Sequence, residues 1–150
     1  MTLKQSVYMI RMTGGTVIDY DNFCSPLVYV GRGDTVTRLA RHLENWASNV
    51  FTWSSDTDIE LQIINPSLDG TIDCFKNLEA DLLRWFHEKT GMLPLINVRL
   101  EQSFEGKVTY KAADERRLRR LLTTGSGKRP RWAIYPLKSN PHYDRYYKHY

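Results

Sequence analysis

Two short apolar runs, each carrying a tyrosine, set the opening of this fold: Ser6-Val7-Tyr8-Met9-Ile10 and Leu27-Val28-Tyr29-Val30-Gly31. Both have the apolar, aromatic content of strands. The first, spanning residues 5–12, stops at Thr13-Gly14-Gly15, and the second stops at Gly31-Arg32-Gly33-Asp34. Two strands this close in sequence are expected to pair antiparallel. Residues 16–20 are expected to continue the hairpin, and residues 21–26 read as a turn.

Helical spacing takes over after the second run. Asp34 or Thr35 serves as N-cap, and Val36, Leu39, Ala40, Leu43, Trp46 and Ala47 recur along one predicted helix face. Residues 58–64 (DIELQII) alternate as a strand, with Ile59, Leu61 and Ile63 on one side, and residues 66–70 form a loop. Residues 73–90 are the longest predicted helix, with Phe75, Leu78, Leu82, Trp85 and Phe86 as its buried stripe and Gly91 as its stop. Residues 95–102 read as a strand, and residues 112–123 as a second, basic helix ended by Gly125-Ser126-Gly127. Residues 131–137 read as one more strand and residues 139–150 as a tail. The expected fold class is α/β (α+β), a small central antiparallel or mixed sheet flanked by helices. At 150 residues the chain suits one domain.

Composition narrows the function classes. No apolar run approaches the ~18 residues that span a bilayer, and the N-terminus lacks the pattern of a secretory signal. No membrane association is expected, and a cytoplasmic location is. Cys24 and Cys74 match no metal spacing and are too few for a disulfide framework, so both read as reduced thiols. The net charge of +4 hides a division. Residues 1–106 hold 9 Lys/Arg against 14 Asp/Glu, whereas residues 107–150 hold 12 against 3. The boundary divides a core, 1–106, from a basic aromatic extension, 107–150, packed on it or following it, and the extension is the part suited to a polyanion.

Singly, the polar residues of the core have ordinary explanations. Tyr8 and Tyr29 suit a pleated face. Arg38 and His42 at i, i+4 suit one solvated helix face, and Glu79 suits the first turns of a helix. Asn97 suits a strand end. Together they match what phosphodiester hydrolysis requires: a group to activate water, a cation at the scissile phosphate and a means of neutralising the leaving oxygen. Tyrosine, with an ordinary pKa of about 10, becomes a base at neutral pH only if nearby cations lower it, and Arg38 or a metal has the required sign.

The order of these residues resembles the GIY-YIG endonuclease family over residues 5–100. Val7-Tyr8 stands as the first signature, with Ser6 where the family has glycine, and Tyr29-Val30-Gly31 as the second. Arg38-x-x-x-His42 is similar to the family's helix motif. Glu79, followed by Leu82-Leu83, resembles the metal-binding glutamate, and Asn97 the terminal asparagine. The stretch from Tyr8 to Tyr29 is longer than in compact members, and Glu44, Glu60 and Glu88 compete with Glu79 for its assignment. The resemblance implies a small antiparallel sheet flanked by helices and a catalytic set of Tyr8, Tyr29, Arg38, His42, Glu79 and Asn97. On that analogy Tyr8 is the general base or water-orienting group, supported by Tyr29 and His42. Arg38 holds the scissile phosphate, and Glu79 binds a single Mg²⁺ or Mn²⁺.

Residues 107–150 carry Arg116-Arg117-Leu118-Arg119-Arg120 and Lys128-Arg129-Pro130-Arg131 among Trp132 and five tyrosines, from Tyr135 to Tyr150. Lys and Arg supply phosphate affinity, and aromatics stack on unpaired bases. With Arg32 and Arg41 of the core, Arg116, Arg117, Arg119, Arg120, Lys128, Arg129 and Arg131 are the expected nucleic-acid contacts. The run from Gly125 to Arg129 lacks the spacing of a nucleotide-binding P-loop. The leading expectation is a divalent-metal-dependent endonuclease acting on DNA rather than RNA. Two other classes stay open: a non-catalytic nucleic-acid-binding protein with a degenerate nuclease fold, and a protein-interaction module whose acidic front pairs with its basic back.

Overall fold

The computed structural model describes residues 3–13, 16–47, 58–66, 74–101 and 108–123, together with the backbone of 132–134. After a short 3-10 turn, Leu3–Gln5, the chain forms β1 (Ser6–Thr13), β2 (Thr16–Asp19), β3 (Cys24–Ser25) and β4 (Leu27–Gly33). Helix α1 (Thr35–His42) follows and widens into a π-turn at Leu43–Ala47. Then come β5 (Asp58–Ile64), α2 (Cys74–Thr90), α3 (Ala112–Thr123) and β6 (Trp132–Ile134). The fold is mixed α+β, as the element order implies.

Three strands make the first sheet, in the order β4-β1-β5, and both pairings are antiparallel. Tyr8 lies opposite Gly31 on one side and Ile63 on the other, and Ile10 lies opposite Tyr29. Strand alternation therefore divides the sheet into two faces. Val7, Met9, Val28 and Val30 point into the core against Leu78, Leu82 and Phe86 of α2. Tyr8 and Tyr29 point to the opposite face, where α1 lies.

β2 does not continue a hairpin with β1. Both flanks of β1 are already taken by β4 and β5, so β2 enters a second sheet, ordered β3-β2-β6. There it runs antiparallel to β3 and parallel to β6. The segment read as a turn thus contains β3. Between the sheets Tyr20 is buried, packs edge-on against Phe86 at 5.0 Å, donates to the Leu27 carbonyl at 2.6 Å and accepts from the Leu95 amide at 3.0 Å.

α2 matches its predicted stripe: Leu78, Leu82, Trp85 and Phe86 are buried. Gly91 ends it with a φ of +76°, a left-handed conformation that favours glycine, and its amide donates to the His87 carbonyl. α1 departs from its stripe. Val36, Ala40 and Leu43 are exposed, while Thr35 and Ala47 are buried. The reason lies in its tether: Thr35 Oγ1 meets the buried Ser6 Oγ at 2.7 Å, so α1 starts anchored by hydroxyls and not by an apolar ridge.

Residues 95–101 form no strand. The Ile96 amide donates to the Val28 carbonyl at 3.1 Å, but the next partner of β4 is a side chain, that of Asn97, and the ladder stops. α3 packs on α2: Leu118 and Leu122 join the core cluster, the Leu122 carbonyl accepts from Ser25 Oγ, and Tyr110 donates to Asp81 at 2.7 Å. Residues 139–150 lie outside the described residues. Among the described residues no helix is long and apolar enough to cross a membrane, and Cys24 and Cys74 are free thiols.

Candidate active site

β1, β4 and α1 bring Tyr8, Tyr29 and His42 into direct contact. The rings of Tyr29 and His42 are 4.5 Å apart at an interplanar angle of 61°. Those of Tyr8 and Tyr29 are 5.9 Å apart, as are those of Tyr8 and His42. The Tyr8 hydroxyl lies 2.9 Å from His42 Nε2. Tyr8 has no exposed surface, whereas Tyr29 and His42 are half-buried.

The register explains how the second signature makes room for this. Gly31 lies across from Tyr8, and a Cβ built on it meets the Tyr8 hydroxyl at 2.7 Å and the Tyr29 ring at 2.5 Å. In the first signature, Ser6 in place of glycine bonds Thr35, the Leu3 carbonyl and the Gly33 carbonyl. Its hydroxyl ties the start of α1 to the ends of β1 and β4.

Arg38 is exposed on α1, one turn before His42. Its charge is felt at Tyr8, Tyr29, His42 and Glu79, which places all four within one electrostatic neighbourhood. It lowers the pKa of both tyrosines, the sign required of it. Burial is the larger effect, however, and both hydroxyls titrate above the ordinary tyrosine value. His42 is shifted down, first by burial and then by Arg38 and Arg41, so the imidazole is neutral at pH 7.

Glu79, on α2, is 6% exposed and meets Arg32 of β4 at 3.0 Å. Burial pushes its carboxyl up to about 7, and the Arg32 guanidinium offsets only part of that rise. Glu101 raises it further and lies 3.8 Å from the same guanidinium, with Arg99 at 3.5 Å from Glu101. The competing glutamates lie elsewhere: Glu60 pairs with Arg11 at 3.0 Å, Glu88 approaches Arg84 at 3.9 Å, and Glu44 is exposed.

Glu79 is also the residue best suited to a divalent ion. Its buried Oε2 is ion-paired with Arg32 Nη1 at 3.0 Å without hydrogen-bond geometry, so a divalent ion there would share that oxygen with the guanidinium. Mg²⁺ commonly retains several waters and takes one or two carboxylates. Among the described residues no three His, Cys, Asp or Glu side chains converge, so the protein's share of such a site is Glu79, with Glu101 nearby.

Asn97 is buried and does not join the tyrosine cluster. Its Oδ1 accepts from the Val30 amide at 2.9 Å and its Nδ2 donates to the Val30 carbonyl at 2.8 Å, clasping the strand between Tyr29 and Gly31. Of the expected nucleic-acid contacts, Arg41, Arg116, Arg117 and Arg120 are exposed. Arg32 is engaged by Glu79 and Glu101, and Arg119 pairs with Glu115 at 2.8 Å and lies 4.3 Å over the Trp85 ring. Lys128, Arg129 and Arg131 lie outside the described residues.

Two site residues escaped the sequence reading. Trp46 donates its indole N–H to His42 Nδ1 at 2.8 Å. Its i, i+4 spacing from His42 was the available signal, hidden because Trp46 also fitted an apolar stripe. Glu101 carried no local signal, since it reaches the site through Arg32. No protein-family model matches the chain, and neither a curated protein nor a solved structure matches it.

Proposed function

We propose that this chain is a divalent-metal-dependent endonuclease of the GIY-YIG type, hydrolysing phosphodiester bonds in DNA within the cytoplasm. The observation that supports the reading is the contact of Tyr8, Tyr29 and His42 within the field of Arg38, with Glu79 also inside that field. In this reading Tyr29, the half-buried tyrosine, meets the attacking water. Tyr8 and His42 orient it from behind, and Asn97 holds its strand. Arg38, exposed, binds the scissile phosphate and stabilises the charge that develops on it. Glu79 holds Mg²⁺ or Mn²⁺, which supplies phosphate polarisation and neutralisation of the leaving oxygen. Arg41, Arg116, Arg117 and Arg120, with Lys128, Arg129 and Arg131, track the DNA backbone.

Cleavage of plasmid and single-stranded DNA with Mg²⁺ or Mn²⁺ is the test. Arg38→Ala and Glu79→Ala are each expected to lower the rate by on the order of a hundredfold or more. Full activity in both variants removes this site from consideration.

One observation favours a second reading, a nucleic-acid-binding protein without catalysis. Tyr8 is fully buried. Binding that persists in EDTA, with no cleavage under any divalent ion, selects that reading.

A further inference from the structure

His42 is held at both ring nitrogens, and the two partners differ in kind. An indole N–H only donates, so the 2.8 Å contact from Trp46 Nε1 requires a lone pair on His42 Nδ1. The ring proton of neutral His42 is then on Nε2, 2.9 Å from the Tyr8 hydroxyl, and Nε2–H donates to the Tyr8 oxygen. With that oxygen accepting, the Tyr8 hydrogen is directed away from His42, and the Tyr29 ring lies beside Tyr8 at 5.9 Å. Trp46 stands on the π-turn that follows α1, beside His42 at a ring separation of 5.4 Å.

We propose that Trp46 is a positioning residue that fixes His42 as the Nε2–H tautomer. The donor chain then runs one way, Trp46 to His42 to Tyr8, beside the half-buried Tyr29 ring. His42 is a donor in this arrangement and does not take the Tyr8 proton. Successive donors polarise one another, so each link stabilises negative charge developing on the Tyr8 oxygen. This counters the burial that otherwise holds its proton.

The chain also keeps the imidazole neutral, because a proton on Nδ1 would face the indole N–H. Other groups around His42 act in the same direction. Tyr8 of β1 and Tyr29 of β4 contribute burial, and Arg38 and Arg41 of α1 contribute positive charge. The Leu3–Gln5 turn, which also packs on α1, carries Lys4, a charge not felt at His42. The catalytic meaning of the relay rests on the nuclease reading; the tautomer does not.

Nitrogen-15 NMR of the His42 ring in the full chain tests the proposal without any cleavage assay. The expected result is a protonated Nε2 and an unprotonated Nδ1 at pH 7. Trp46→Phe keeps the ring and removes the donor. It is expected to lose the tautomer preference and to raise the His42 pKa by about one unit, the size of one neutral hydrogen bond. In a cleaving preparation the same variant lowers kcat by roughly five- to tenfold at unchanged KM and moves the acidic limb of the pH profile upward. A protonated Nδ1 in the unsubstituted protein overturns the proposal, whether or not the variant folds. An unchanged tautomer and pKa in Trp46→Phe overturn it equally. A protein that cuts nothing yet shows the Nε2–H ring sinks the nuclease reading and leaves the tautomer assignment standing.

Discussion

Gly31 is required opposite Tyr8 because no side chain fits between that hydroxyl and the Tyr29 ring. The neighbours are two aromatic rings packed against His42, not flexible chain ends, so they have little room to yield. Gly31→Ala is therefore expected to destabilise the fold by about 1–3 kcal/mol and to displace the Tyr8 hydroxyl from His42. Urea denaturation reads the first effect and the His42 ring nitrogen signals the second. Glu79 supplies a pH test at the same scale. Its folded pKa of about 7 lies above the ordinary 4.5, so the native state binds the proton more tightly than the unfolded chain does. Below pH 4.5 both states are protonated and nothing is lost. Stability then falls as pH rises from 4.5 to 7, by ~3 kcal/mol at most. Glu79→Gln is expected to flatten that decline, measured by urea denaturation across the interval; an unchanged slope would mean that Arg32 fully compensates the carboxylate. A divalent ion competes with the same proton, so Mg²⁺ affinity should increase through neutral pH.

Among the elements, β4 is the one on which the site depends most. Among the described residues it has a strand, β1, on one side only, and edge strands expose unpaired backbone groups. Asn97 covers that edge by acting as a one-residue strand, its amide satisfying both polar groups of Val30. Asn97→Ala removes two buried hydrogen bonds and is expected to cost about 2–3 kcal/mol. Asn97→Asp should be the more damaging, since it keeps the acceptor for the Val30 amide but sets a carboxylate oxygen against the Val30 carbonyl. Equal stability of the two variants by urea denaturation would show that the clasp does not work through its donor. The same element shows how far local sequence could be read. Residues 95–102 have strand composition, but the pairing is made by a side chain, and no periodicity announces that. α1 was legible in its N-cap, Asp34, whose side chain accepts from the Thr37 amide, but not in its end at His42, since the expected stripe ran on to Ala47. Its buried face was not, because a pair of hydroxyls anchors it where an apolar stripe was expected.

At the scale of the molecule, the charge division along the sequence acquires a position in space. α3 is held to α2 through Leu118, Leu122, Tyr110 and the Arg119–Trp85 contact, so its basic face is carried on the same body as the tyrosine cluster. Arg119, although exposed, is engaged by Glu115 and the Trp85 ring, which leaves Arg116, Arg117 and Arg120 as the other exposed arginines of the helix to meet a polyanion. Replacing these three by alanine is expected to weaken DNA binding uniformly across sequences and to reduce the log–log salt slope by about 3, roughly one per phosphate contact. A slope unchanged in the triple variant would place the DNA elsewhere. Arg119→Ala, by contrast, is expected to reduce stability through lost packing on Trp85.

The sequence by itself determined the local elements and the inventory of reactive groups. Apolar and aromatic content marked β1 and β4, alternation marked β5, helical spacing marked α2, a basic run ended by glycines marked α3, and the order of Tyr8, Tyr29, Arg38, His42 and Glu79 marked the residues worth tracing. Each of those signals is carried by neighbours in the chain, through strand pleat, helix turn or capping chemistry. Only the tertiary structure decided which groups meet. It placed Gly31 under Tyr8, put Arg32 on Glu79, buried Tyr8 and turned Trp46 onto His42. Register across a sheet and the docking of a helix on its face are set by the whole core at once, and burial, which outweighs Arg38 at both tyrosines, exists only once that core has formed.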